Sequence, residues 1–149
     1  MRVPQSLSHL VIHVIFSTKS RQPLLRPKNV QNEIHAYLAG TLKNLGCDAI
    51  KIGGTADHVH VLASLSRTIS LADLIQRLKG ASSKVLKEKG IREFSWQNGY
   101  GAFSVSESNI ESVAAYIENQ EEHHRTLTFQ EEFRAFLKKH RIPFDERYL

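Results

Sequence analysis

A nearly continuous apolar run close to the start of the chain is the feature that most restricts the fold. Residues 8–17 read SHLVIHVIFS, and β-branched or aromatic side chains fill most of these positions. A strand that exposes one face to water alternates apolar and polar side chains, whereas a strand covered on both faces does not. The run therefore predicts a strand with packed layers on both of its faces.

The size and composition of the chain are compatible with a single domain built around this strand. The chain has 149 residues, of which 41% are hydrophobic. Its single cysteine, Cys47, excludes an internal disulfide framework and a cysteine-rich zinc site. No segment approaches the ~20 apolar residues of a membrane span. Residues 1–4 show no signal-peptide pattern, so we expect a cytoplasmic protein.

The remaining pattern predicts two successive strand–helix–strand units. The predicted elements, in chain order, are a strand at 8–17, a helix at 29–45, strands at 47–51 and 58–66, a helix at 70–90 and a strand at 102–106. Gly46 suits the end of the first helix, a turn is predicted at 53–55, and Ser70 and Asp73 resemble a capping box for the second helix. This order predicts an α+β, ferredoxin-like βαββαβ fold with an antiparallel sheet.

Further helices are predicted after the last strand. Ser108 and Glu111 have the spacing of a second capping box. The predicted segments are a helix from there to about His124, a helix at 128–139 and an extended end at 144–149. We expect one domain over 1–126, with the polar segment 127–149 as a helical extension of the same domain.

His58 and His60 form the most informative short motif. Residues two apart on a strand share a face, and their Cβ atoms lie ~6–7 Å apart, so two imidazoles can converge on one divalent metal ion. Two polar residues on the outer face of a strand are the alternative interpretation. His9 and His13 share a face of the first strand, where we interpret them as packed or edge histidines, and whether one supports a metal ligand stays open.

A second set of polar side chains lies on the predicted helix that ends near His124. Tyr116 and Gln120 are one helical turn apart, on the flank of the apolar stripe. The alternative is a half-buried tyrosine beside a solvated glutamine. His123 and His124 follow on the same helix. Either histidine offers another metal ligand, although two histidines at a helix end also interact favourably with the helix dipole.

The charge of the chain is compatible with nucleic-acid binding but does not require it. Twenty Lys and Arg residues against fifteen Asp and Glu residues give a formal net charge of +5. Cations follow the first strand, at Lys19 and Arg21, and lie on the second long helix, at Lys79 and Lys84, where they suit either phosphate contacts or a solvated helix face. Trp96, Tyr100 and Phe103 are aromatic residues that could stack on unpaired bases. No nucleotide-binding glycine motif or serine nucleophile elbow occurs in the sequence.

Six segments together, in their order and spacing, resemble one family. The segments are VIFSTKSR (14–21), DHVHVL (57–62), LKGASSK (78–84), WQNGYGAFSV (96–105), YIENQ (116–120) and FDERYL (144–149). They are similar to the single-tyrosine, IS200-like transposases of the smallest bacterial insertion sequences, which belong to the HUH endonuclease superfamily. The resemblance covers about residues 8–124, and the last segment is similar to the tail of one branch of the family.

The resemblance implies a role for each matched position. Tyr116 would be the nucleophile that forms a 5′-phosphotyrosine link with single-stranded DNA. His58 and His60 would be metal ligands, and Gln120 the third ligand. The residue types suit Mg²⁺ or Mn²⁺ as the cofactor.

The resemblance also implies the partners of the chain. Family members cut single-stranded DNA near hairpins and work as homodimers, whose active sites can combine residues of both subunits. Two other interpretations remain open at this point. One is a domesticated relative that nicks repeated chromosomal hairpins, and the other is a ferredoxin-like nucleic-acid-binding module without catalytic activity.

Overall fold

The structure, a computed structural model, describes residues 4–148. Residues 1–3, where the sequence shows no signal-peptide pattern, and Leu149, at the predicted extended end, lie outside this part. The strands are β1 (Val11–Ser17), β2 (Ala49–Gly54), β3 (His58–Ser64) and β4 (Gly101–Ser104). The helices are α1 (Lys28–Asn44), α2 (Leu71–Glu88), α3 (Ile110–Glu118), α4 (Gln120–His123) and α5 (Phe129–Lys139). Among residues 4–148, no helix combines the length and apolar character that a membrane span requires.

The four strands form one antiparallel sheet in the order β2-β3-β1-β4. Strand β1 lies inside the sheet, between β3 and β4. Helix α1 connects β1 to β2, and α2 connects β3 to β4. This is the ferredoxin-like βαββαβ arrangement, so the fold predicted from the order of the elements is confirmed.

The two faces of the sheet carry separate hydrophobic cores, as the apolar run in β1 predicted. Val14 and Phe16 point to the face that α1 and α2 cover. On the opposite face, Ile15 packs against α5 and Leu62 packs against α3. Because side chains alternate along a strand, the histidines of β1 and β3 share this second face. The fold therefore places them beneath α3 and α5.

The predicted turn at 53–55 is wrong, because Gly53 and Gly54 belong to β2. Gly53 pairs with His60 on the neighbouring strand. A Cβ atom at Gly53 would lie only 2.6 Å from the backbone oxygen of Ile117 in α3. Glycine at this position therefore allows α3 to pack directly on the edge strand, next to the histidines of β3.

The helix that the sequence predicts from Ser108 to about His124 is interrupted at Asn119. Ser108 lies in a short 3-10 turn, Glu107–Asn109, and α3 begins at Ile110 without a side-chain cap. Asn119 separates α3 from α4, and its side-chain amide donates a hydrogen bond to the backbone oxygen of Ala115 at 3.0 Å. Side chains of this type compete with the backbone ladder, which gives the interruption a local cause.

The segment at 127–149, predicted to be a polar extension, contributes to the core. Thr128 and Glu131 form a complete capping box at the start of α5. Phe129 and Leu137 of α5 are buried against the sheet face that also carries Ile15. Helix α5 therefore covers the sheet as an integral layer, because its amphipathic face finds the apolar side chains of β1 and β4.

The close approach of α3 to β2 can be tested at Gly53. We expect Gly53→Ala to lower the free energy of unfolding by about 1–3 kcal/mol, because the new methyl group meets a backbone oxygen that cannot move aside alone. Gly80→Ala in α2 is the control, since a Cβ there meets no atom within 4 Å and should stabilise the helix by about 0.5–1 kcal/mol. Urea unfolding measures both. Equal stability of Gly53→Ala and the wild type would contradict the packing described here.

Candidate metal and tyrosine site

The two histidines of β3 lie side by side in a fully buried position. His58 and His60 are both 0% exposed, and their ring centroids are 5.1 Å apart. The Nδ1 atom of His58 is 2.7 Å from a carboxylate oxygen of Asp57. Because a carboxylate only accepts hydrogen bonds, Nδ1 carries a proton, and Nε2 faces the space beneath α5.

His13 of β1 supports the second histidine. Its Nε2 atom lies 2.8 Å from Nδ1 of His60, and the two rings are stacked with centroids 5.0 Å apart. Burial lowers the pKa of His13 to about 3, so this ring is neutral. The sequence left open whether His9 or His13 supports a ligand. The structure places His13 beside His60, whereas His9 lies before β1 and pairs with Glu107 at the surface.

Glu132 of α5 completes a group of three possible ligands with these histidines. Its side chain is 1% exposed, and its Oε1 atom lies 3.0 Å from Nε2 of His60 and 3.6 Å from Nε2 of His58. One possible ligand atom from each residue lies within 4.8 Å of the other two. Two imidazoles and one carboxylate are a ligand set that suits a divalent metal ion.

Tyr116 and Gln120 converge on the same carboxylate, as residues one helical turn apart can do. The Tyr116 hydroxyl donates a short hydrogen bond to Oε2 of Glu132. The amide nitrogen of Gln120 donates to the same oxygen at 3.1 Å. The amide oxygen of Gln120 therefore points the other way and lies 2.9 Å from Nε2 of His58.

His123 and His124 both contribute to the surroundings of the site. The ring of His123 stacks on Tyr116 with centroids 4.4 Å apart. His124 lies edge-on to His58 at 4.5 Å, and its Nε2 atom is 3.2 Å from Oε1 of Glu132. Although burial disfavours a charged ring, the carboxylate of Glu132 raises the pKa of His124. An interaction with the helix dipole is therefore not the full account of these two histidines, because both rings contact other members of the site.

The electrostatic environment determines the ionisation of these groups. Burial alone would raise the pKa of Glu132, but the hydrogen bonds and charges of His124, His60 and Tyr116 hold it well below its usual range. Burial lowers the pKa of His60 to about 4. Burial and the hydrogen bond to Glu132 raise the pKa of Tyr116 above its ordinary value. The site thus combines an ionised carboxylate, a neutral imidazole and a protonated phenol.

The donor and acceptor pattern fits a bound cation. In the neutral form of His58 with its proton on Nδ1, the Nε2 lone pair lies opposite the amide oxygen of Gln120, and both atoms are acceptors. The carboxylate oxygen of Glu132 approaches the same point. A cation between these atoms would remove their mutual repulsion. The residues present therefore fit a divalent metal ion held by His58, His60 and side-chain oxygens.

The cations predicted to contact DNA lie in two places. Ser17 pairs with His58, so the turn that holds Lys19 and Arg21 begins at the end of the sheet next to the site. The ammonium group of Lys79 donates hydrogen bonds to the backbone oxygens at 97 and 99, at 2.8 and 2.7 Å, and burial lowers its pKa. Lys84 is exposed on α2, which covers the opposite face of the sheet.

The aromatic residues singled out in the sequence divide between the core and a groove. Trp96 and Phe103 are buried, and the indole nitrogen of Trp96 donates to Ser82 at 2.9 Å. Tyr100 is exposed and borders a groove of about 220 Å³ that Phe129 and Phe133 of α5 also line. Since the ring centroids of Phe129 and His58 are 4.7 Å apart, this groove lies beside the site.

Sequence reasoning missed Glu132, although the pattern of α5 contained a signal. Phe129, Phe133 and Phe136 recur on one side of this helix, and Glu132 occupies a position within the same stripe. A carboxylate on the apolar stripe of a helix is costly to bury unless it has partners, which marks it for attention. The sequence shows no link between this position and the histidines of β3.

The comparison with known protein families identifies the chain. Residues 6–120 match the family model described as "Transposase IS200 like", and this range contains β1 to β4, α3 and Gln120. The chain belongs to the IS200-like transposase family. The family predicted from the sequence segments is thereby confirmed. The match ends at residue 120, so α5 and Glu132 lie beyond it.

Individual relatives agree with this assignment. The ISDra2 transposase TnpA of Deinococcus radiodurans is 30% identical over 118 residues, which cover 74% of this chain and 84% of that protein. The crystal structure of a candidate transposase from Deinococcus radiodurans has a TM-score of 0.64 at 24% identity and covers 80% of this chain and 97% of that one. The structure of a REP-associated tyrosine transposase bound to a REP hairpin has a TM-score of 0.60 at 10% identity. The match covers 83% of this chain and 74% of that one. These two structures show that the fold is shared.

The contact between His13 and His60 predicts an effect on metal affinity. We expect His13→Phe to weaken Mn²⁺ binding by about 10–100-fold, because His60 loses the hydrogen bond that orients its ring. Phenylalanine suits the aromatic surroundings of His13, so the fold should persist. His9→Phe, on the exposed segment before β1, is the control. Calorimetric titration with Mn²⁺ measures the affinity, and unchanged binding by His13→Phe would contradict the supporting role.

Proposed function

We propose that this transposase cuts and rejoins single-stranded DNA through a covalent bond to Tyr116. The observation that carries the proposal is the position of the Tyr116 hydroxyl, which shares the Glu132 carboxylate with His60 in a buried cluster. A phenol placed beside a possible divalent metal site is suited to attack a phosphodiester whose charge the ion offsets. Membership of the IS200-like family supports the same assignment.

The proposed reaction exchanges one phosphate ester for another. The Tyr116 oxygen attacks the phosphorus atom, the bond from phosphorus to the 3′-oxygen breaks, and the phenolic proton leaves the nucleophile. The products are a 5′-phosphotyrosine link and a strand with a free 3′-hydroxyl, whose oxygen has gained a proton. Because the number of phosphate ester bonds is unchanged, a 3′-hydroxyl can later reverse the attack and rejoin DNA without a nucleotide cofactor.

The metal site proposed for this reaction extends the predicted ligand set. His58 and His60 would hold Mg²⁺ or Mn²⁺ through their Nε2 atoms, and the Gln120 oxygen remains a proposed ligand because it lies 2.9 Å from His58. Glu132 adds a carboxylate that the sequence did not indicate. When bound, the ion would act as a Lewis acid toward the scissile phosphate. A carboxylate ligand would reduce the net charge of the site below that of a set of neutral ligands.

Single-stranded DNA with a hairpin is the proposed substrate. One structural neighbour is a REP-associated tyrosine transposase bound to a REP hairpin, which supports a hairpin partner for this chain. Lys19 and Arg21 are the phosphate contacts proposed beside the site, because their turn begins at the adjoining end of the sheet. Lys79 and Lys84 lie on α2, so any phosphates that they contact would be farther from the site. A mobile transposase and a domesticated nickase would share this chemistry. Hairpins in the flanking DNA and multiple identical copies of the element would favour mobility.

The position of α3 and α5 argues against a module that only binds nucleic acid. Modules of ferredoxin-like fold stack bases on exposed aromatic side chains of the sheet. Here the face beneath α3 and α5 carries buried histidines, and α5 covers Phe103. This face is therefore closed to stacking, and its cluster of polar residues supports the proposed ion and nucleophile site instead.

The covalent mechanism makes a direct prediction. We expect the protein to form a covalent adduct with a labelled single-stranded hairpin from its own flanking DNA, in the presence of Mn²⁺ and not after chelation by EDTA. Tyr116→Phe should abolish the adduct because the attacking oxygen is gone, and Tyr100→Phe, at an exposed tyrosine, should retain it. A denaturing gel measures the adduct. An adduct that persists in Tyr116→Phe would overturn the nucleophile assignment.

The subunit arrangement makes a second prediction. We propose a homodimer in which each chain uses its own Tyr116 and histidines, because these groups meet within one chain. A mixture of Tyr116→Phe and His60→Ala chains should then form less than about a tenth of the wild-type adduct, since neither chain has a complete site. Substantial rescue in the mixture would show that sites are shared between subunits. Sedimentation of each variant verifies that chains of equal oligomeric state are compared.

A further inference from the structure

Glu132 is the group whose contacts the reaction outlined above leaves unexplained. We propose that Glu132 is a catalytic residue that joins the metal ion to the nucleophile, with Oε1 binding the ion and Oε2 holding the Tyr116 hydroxyl. This inference rests on the proposed function, which supplies the nucleophile and the ion. It assigns to α5, beyond the family match at residues 6–120, a part of the active site.

The two oxygens of the carboxylate face different partners. Oε1 lies 3.0 Å from Nε2 of His60 and 3.6 Å from Nε2 of His58. Oε2 accepts hydrogen bonds from the Tyr116 hydroxyl and, at 3.1 Å, from the amide of Gln120. One side chain therefore contacts both proposed halves of the active site. An ion on the Oε1 side would be connected to the phenol through a single rigid carboxylate.

The position of Glu132 is determined by packing as well as by hydrogen bonds. Phe129 and Leu137, in the neighbouring turns of α5, are buried against the sheet. The ring of Phe136 lies 5.7 Å from that of Tyr116. The backbone of α5 is thus anchored on both sides of Glu132. An anchored carboxylate can hold a reacting oxygen in place, and misplacing such an oxygen by about 1 Å can cost about 100-fold in rate.

The alternative role for this carboxylate is obstruction. An anion beside the nucleophile could occupy the position that the scissile phosphate needs, in which case removing it would accelerate the reaction. Without an ion, Nε2 of His60 donates to Glu132. With the proton on Nδ1, where Nε2 of His13 can accept it, the imidazole lone pairs and the carboxylate oxygen can share one cation, which favours the ligand role. The two roles predict opposite effects of the same substitution.

The test compares Glu132→Gln with Glu131→Gln. Glutamine at 132 keeps the size of the side chain but removes its charge. The Glu131→Gln control removes one negative charge at the neighbouring position, and glutamine there still suits the capping box at the start of α5. For Glu132→Gln we expect Mn²⁺ binding without DNA to weaken by at least about 10-fold and the rate of adduct formation to fall by about 100-fold. Glu131→Gln should match the wild type in both measurements.

A spectroscopic readout isolates the connection between the ion and the phenol. Mn²⁺ added to the wild-type protein without DNA should change the near-ultraviolet absorption of Tyr116, because its hydrogen-bond partner binds the ion. The change should be absent in Tyr116→Phe and in Glu132→Gln, and present in Glu131→Gln. Thermal unfolding without the ion tests whether each variant is folded. If Glu132→Gln does not fold, Glu132→Asp replaces it as a variant that keeps the charge but shortens the side chain.

Each outcome decides between the roles. Wild-type Mn²⁺ affinity in Glu132→Gln, or adduct formation faster than in the wild type, would overturn the proposal and favour obstruction. A folded Glu132→Asp variant that binds Mn²⁺ but forms the adduct slowly would support it, because the shorter side chain reaches only one partner. If the wild type forms no adduct at all, the proposed function fails, but the affinity and absorption measurements still test the role of Glu132.

Discussion

The buried carboxylate of Glu132 is the group on which the rest of the site depends. A carboxylate removed from water is stable only when donors and positive charges replace the water that it loses. Tyr116, Gln120 and His60 provide these contacts in the described part of the chain, and Nε2 of His124 lies 3.2 Å from the same carboxylate. The carboxylate therefore links β3, the α3–α4 segment and α5, which are far apart in the sequence.

The fold separates an apolar face of the sheet from the face that carries the candidate site. The face beneath α1 and α2 is an apolar core with few polar groups, and it provides the rigid base from which β3 presents its side chains. The face beneath α3 and α5 buries histidines and a glutamate among phenylalanine rings. Gly53 is part of this division, because the absence of a side chain there lets α3 approach the strand next to His60.

The parts of the site that follow from local chain geometry could be predicted from the sequence. Two histidines two residues apart on a strand must share a face, and a tyrosine and a glutamine four residues apart on a helix must lie close together. The structure places both pairs as these rules require, even though Asn119 interrupts the helix between α3 and α4. The rule that consecutive glycines mark a turn was less reliable. Gly53 and Gly54, expected in a turn at 53–55, belong to β2 because they pair with β3.

The sequence by itself determined the order of strands and helices, the presence of a strand covered on both faces, the family, and the residues of each local pair. Only the tertiary structure decided that Glu132 and His13 join those pairs. His13 meets His60 across 47 positions of the chain, and Glu132 meets the same histidine across 72. Periodicity describes how neighbours along one element are oriented, and it contains no information about which elements meet. That choice is made when the sheet and α5 bury their apolar faces together, since this packing brings a carboxylate on one element to the imidazoles of another.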